Sequence, residues 1–189
     1  MKTYIIRRRL LTTESGTITL KLPTNFGTPK AAIFYATNST ANDGSFTNTI
    51  THQFLSIGFA GNSGISGGSH VNRCMCMVNQ TNTSPTVSCS IATASYVLEH
   101  SDSVGTTIYR RLSCDSFSSD TITCTLTNVN TPTEVCDLII TVFTGDDLTV
   151  GINSIDVTNT LNNSVTFSTL TFQRNSIIFP FLRVSYSPF

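Results

Sequence analysis

Tryptophan is absent from this sequence, methionine occurs three times, proline six times, and charged side chains make up only 12% of the residues. An average globular chain carries roughly twice that charged share. The eleven basic and eleven acidic residues cancel to a formal net charge of zero. A chain without net charge has no long-range field to gather nucleic acid or an anionic membrane surface. Long apolar runs are missing as well. None approaches the ~20 residues of a membrane helix, and Thr12, Thr13 and Glu14 interrupt the run after Arg9, so no signal-peptide core is expected. Neither nucleic acid nor membrane insertion is therefore predicted. Disorder is excluded too, because it needs low hydrophobicity with high net charge, and 39% of the residues are hydrophobic.

Catalytic and metal-binding patterns are equally scarce. No Gly-x-Ser-x-Gly elbow or His-Glu-x-x-His pair occurs. The glycine-rich stretch at residues 61–68 lacks the lysine of a phosphate loop and precedes a strand pattern, so it reads as a loop. His52, His70 and His100 lie in separate segments and read as ordinary histidines. The doublet Asp146-Asp147 follows Gly145 where a hairpin turn is expected, and turns favour Asp for backbone reasons. The six cysteines include Cys74-Met75-Cys76, which is not the Cys-x-x-Cys spacing of a zinc site. They read mainly as small core hydrophobes, with disulfides as the alternative. The chain is expected to be non-enzymatic and to need no cofactor or metal.

What the sequence has instead is a period of two. Ile18, Leu20 and Leu22 alternate with Thr17, Thr19 and Lys21; Ile122, Cys124 and Leu126 alternate with Thr121, Thr123 and Thr125; Leu138, Ile140 and Val142 mark a third run. Ser, Thr and Asn together exceed a third of the chain, and Thr on a wet face is itself a good strand former. Such alternation marks half-buried strands. Strands are predicted over residues 3–7, 16–22, 30–36, 50–60, 71–78, 86–91, 105–112, 120–127, 136–144, 148–155, 164–172 and 176–186. Only Ala92–His100 has room for a helical turn or two. This spacing of short strands predicts an all-β, antiparallel β-sandwich of jelly-roll type in one domain over 16–189, with 1–15 as an N-terminal arm or first strand.

Two segments suggest contacts with other molecules. Toward the C-terminus, Ile177, Phe179, Phe181, Val184 and Tyr186, interleaved with Ile178 and Leu182, put apolar groups on both faces of one strand. Such a strand is central in a sandwich or covered by another chain, and the five named residues are the predicted oligomer interface. The basic run Arg7, Arg8 and Arg9 is read first as a solvated arm and second as an anchor onto a neighbouring subunit's carboxylates.

The segment Phe26-Gly27-Thr28-Pro29-Lys30-Ala31-Ala32-Ile33-Phe34-Tyr35-Ala36-Thr37, with the later Leu55-Ser56-Ile57-Gly58-Phe59-Ala60, resembles a pattern met in structural proteins of tailed bacteriophages. Thr171–Phe179 is loosely similar to a second copy of the first element, without its proline. The resemblance covers about a third of the chain and implies a β-sandwich virion component; it carries no catalytic residues. The expected role is a capsid decoration or cement protein on the virion, assembled in the host cytoplasm. Its expected partners are copies of itself, by analogy a trimer, and the major capsid protein. A tail-fibre or tail-tip receptor-binding protein is the first alternative. A carbohydrate-binding module, which would use Tyr35, Tyr96, Tyr109 or Tyr186 on a host surface glycan, is the second.

Overall fold

In a computed structural model, the described residues form two antiparallel sheets packed face to face. The structure describes residues 1–39, 52–62, 70–80, 87–92, 95–101, 107–132, 134–146, 148 and 150, all within the compact unit Met1–Asn153. Ten strands occur among them: β1 (Lys2–Leu10), β2 (Gly16–Lys21), β3 (Ala31–Ser39), β4 (His52–Asn62), β5 (His70–Gln80), β6 (Val87–Ala92), β7 (Leu98–Ser101), β8 (Ile108–Ser118), β9 (Thr121–Asn128) and β10 (Val135–Thr144). One sheet runs β1-β10-β3-β4-β5-β6 and the other β2-β9-β8-β7. The expected all-β sandwich is the observed one. Its outer winding is jelly-roll-like, since β1 pairs with β10 in one sheet and β2 with β9 in the other. Between them, β3 to β6 and β7 to β9 run as successive hairpins.

The two-residue period explains which residues fill the core. Ile18 and Leu20 of β2, Leu112 and Cys114 of β8, and Ile122, Cys124 and Leu126 of β9 face Phe34 of β3, Val78 of β5, and Leu138, Ile140 and Val142 of β10 in one buried cluster. Successive Cβ atoms point to opposite faces, so the intervening threonines take the outer side.

Three expectations change. The Ala92–His100 helical turn is replaced in part by β7, whose four residues are all buried. A strand covered on both faces shows no alternation, which is why the period-two reading passed over it. Strand β8 runs to Ser118, beyond the predicted end at residue 112, because a bulge between Cys114 and Ser116 breaks the apolar phase without breaking the pairing. Of the two readings of residues 1–15, arm or first strand, Lys2–Leu10 take the second. This strand is longer than the predicted 3–7 and pairs with β10 along its whole length, in place of the solvated arm read from the arginines. The predicted strands 164–172 and 176–186 lie outside the described residues. So does most of 148–155, of which Leu148 and Val150 are described and are not in a strand.

Candidate interaction surface

Two of the three arginines in the run meet carboxylates of the same chain, while Arg7 is exposed on β1. Arg8 pairs with Glu14, and Arg9 makes two bonds to Asp137, Nε to Oδ1 at 3.0 Å and Nη2 to Oδ2 at 3.2 Å. Asp137 stands directly opposite Arg9 in the β1–β10 register, so pairing these strands makes the ion pair. Arg111 likewise meets its cross-strand partner Glu99 at 2.9 Å and lies over the Tyr96 ring, 4.8 Å from its centroid.

At the end of the sandwich where β10 begins lies a buried polar group of side chains. Arg110, fully buried, donates to the main-chain carbonyls of Leu10 (3.3 Å), Leu11 (3.4 Å) and Glu134 (3.1 Å), tying β1, β8 and the entry to β10 together. Burial lowers its pKa, opposed in part by Cys136 and Glu14. Nearby, Asn38 bonds to Glu134 and accepts from the Phe54 amide at 3.1 Å. His100 stacks on Phe54 with ring centroids 4.2 Å apart. Every one of these contacts joins one strand to the next, so the arrangement is a structural tie.

The opposite end holds a cleft of about 350 Å³ bordered by Lys2, Asn25, Phe26, Gly27, Lys30 and Asp146. Lys2 donates to the Asn25 carbonyl at 2.9 Å, and Lys30 to the carbonyls of Asp146 (3.3 Å) and Leu148 (3.1 Å). Asp120, in the two-residue β8–β9 turn, accepts from the amides of Asn25 (3.0 Å) and Gly27 (2.8 Å). Both lysines thus cap turns, and the acidic doublet contributes a backbone carbonyl. Among the described residues, no three His, Cys, Asp or Glu side chains gather as a metal site would need, and no helix is long and apolar enough to cross a membrane.

The outer face of the six-stranded sheet differs from both ends. The register places Ile139 of β10, Tyr35 of β3, Ile57 of β4 and Met75 of β5 opposite one another in a single row. In the adjacent row Leu55 of β4 faces Met77 of β5. Three of these are well exposed: Ile139 at 45%, Leu55 at 43% and Met77 at 42%. At the β1 edge the row ends on exposed Arg7, which stands opposite Ile139, and Ile5, at 63%, lies in the neighbouring row opposite Thr141. Single exposed apolar residues are common, and a contiguous group across four strands is the candidate interaction surface among the described residues. Sequence reading missed it because Met75, Met77, Ile57 and Ile139 lie on three strands and become neighbours only through the register. The interface predicted at Ile177, Phe179, Phe181, Val184 and Tyr186 lies outside the described residues.

No protein-family model, no curated protein and no solved structure matches the chain.

Proposed function

We propose that the chain is a non-enzymatic structural protein of a tailed-bacteriophage particle, a decoration or cement protein that stabilises the shell through contacts with copies of itself and with the major capsid protein. The observation that carries this reading is the apolar group on the outer face of the larger sheet, with Ile139, Leu55 and Met77 its well-exposed members. A strongly paired sheet presenting aliphatic and thioether side chains suits a broad packing contact, not the enclosure of a small ligand. Two further points support it. Arg8 and Arg9 of this sheet are held by carboxylates of the same chain, so neither is free to pair with a carboxylate of a partner. The segments that resemble phage structural proteins form β3 and β4, paired neighbours within the sheet that carries the row.

The test is placement on the particle. Antibody raised against the purified chain, gold-labelled and imaged on particles released from the encoding host, is expected to decorate the head at regular spacing. Label confined to tail tips would move the protein to a receptor-binding role. Particles without label, alongside free protein in the lysate, would remove it from the virion.

A further inference from the structure

Cys114 and Cys124 are direct cross-strand partners in the β8–β9 hairpin, and both side chains point into the core. Directly opposed residues of antiparallel strands have Cα atoms about 4.5–5.5 Å apart, inside the 4.4–6.8 Å that a disulfide spans. The neighbouring Cys124 side chain and burial together raise the pKa of the Cys114 thiol. The surroundings hold the two strands in this register. Asp115, the bulge residue, accepts from Ser113 Oγ at 2.6 Å and from Thr125 Oγ1 at 2.7 Å, and Ser113 and Thr125 are the neighbouring pair. The Cys114 carbonyl accepts from Asn72 Nδ2 at 3.0 Å, which fixes β8 to β5 of the opposite sheet.

We infer that Cys114 and Cys124 form an intrachain modification site, closing to a cross-strand disulfide when the protein meets a low-molecular-weight disulfide. One cysteine thiolate attacks the small disulfide and releases one small thiol. The second thiolate then attacks the protein sulfur of the mixed disulfide and releases the other. Two protein thiols are oxidised to one S–S bond, the small disulfide is reduced by two electrons to two thiols, and the two protons lost by the protein thiols end, by way of solvent, on the released small thiols. Because both sulfurs are buried and Cys114 is held protonated, the exchange takes place while the hairpin is open, during folding or transient opening. A protein folded in a reducing cytoplasm would hold the pair as thiols, and exposure to an oxidising medium would lock the hairpin at the middle of its sheet.

Refolding the full chain from urea with oxidised and reduced glutathione, trapping free thiols with iodoacetamide and digesting with chymotrypsin reads the outcome directly. Phe117 lies between the two cysteines, so cleavage after it leaves two peptides that stay together only through a Cys114–Cys124 bond, 2 Da lighter than the reduced pair. The expected result is that linkage as the main product, with Cys74, Cys76 and Cys136 alkylated, and unfolding ~10-fold slower than for reduced protein. In C114A and C124A, reductant should no longer change the unfolding rate. Alkylation of both Cys114 and Cys124 in refolded protein, or a main linkage to any other cysteine, overturns the inference.

Discussion

Gly58 of β4 packs against the main chain of Val97, the residue just before β7 of the opposite sheet. A Cβ built there would lie 1.8 Å from the Val97 carbonyl oxygen and 2.6 Å from its carbon, both main-chain atoms that cannot rotate away. The clash concerns space and not backbone conformation, so even alanine forces β4 and the approach to β7 apart. G58A is expected to cost ~3 kcal/mol or more, as overpacking against rigid backbone does. Urea unfolding followed by circular dichroism measures it, and a midpoint equal to wild type would mean the sheets pack otherwise. Asp120 works at the same scale. Its own φ of 57° and the φ of 64° at Asn25 are left-handed, a region that Asp and Asn tolerate better than most residues. Its carboxylate pKa is held below the usual range by the Gly27 amide first, and then by those of Asn25 and Phe26 with the Lys2 charge, against a smaller desolvation effect. A depressed folded-state pKa gives stabilisation that is present above the unfolded value near ~4 and lost as pH falls through the folded value. D120N should therefore lower the urea midpoint at pH 7 and flatten the wild-type decline below pH ~4. Identical acid limbs for the two proteins would contradict this account.

Among the elements, legibility followed the environment of each strand. Strands β2, β9 and β10 have one wet face and one buried face, and their alternation can be read directly from Ile18, Leu20, Ile122, Leu126, Leu138 and Ile140. Strand β7 is buried throughout, and β8 carries a bulge, so each loses the period where tertiary packing takes over. The arginines of β1 illustrate the same limit. Their charges were legible, but Asp137 is 128 positions from Arg9, and only strand pairing joins them. His70, at the start of β5, depends on packing in the same way. It meets Phe117 of β8 edge-on, with ring centroids 4.9 Å apart, and bonds to the Cys114 backbone, tying one sheet to the other. Desolvation lowers its pKa, opposed by that backbone bond and by Asp115. A histidine with a lowered folded-state pKa binds fewer protons folded than unfolded, so stability falls as pH drops through ~6.5 toward the folded value. Wild type should lose urea resistance between pH 7 and pH 5, and H70Q should lose less over that interval. Parallel pH curves would show that His70 has no part in it.

For the molecule as a whole, the question is why a sheet in which Arg8 and Arg9 meet carboxylates of the same chain leaves Leu55, Met77 and Ile139 in water. Each makes a sizeable apolar area accessible at a position where threonine would serve the strand equally well, as the outer faces of β2 and β9 show. Apolar area removed from water contributes roughly 25 cal/mol per Å², so a row of this kind adds favourable free energy only in an assembled state. That reasoning predicts a separation between folding and association. In L55K/M77K/I139K the lysine stems can lie along the sheet with their charges in solvent, so the urea midpoint should stay within ~1 kcal/mol of wild type. Association should change far more, since three like charges on each face oppose contact with a sister copy or a shell. Sedimentation velocity over a concentration series should show wild type forming larger species as concentration rises and the variant remaining monomeric, and the variant should fail to join particles in a mixed assembly. If wild type is monomeric throughout and both proteins are incorporated equally, the outer face is not the contact surface, and the virion role would have to rest on another part of the chain.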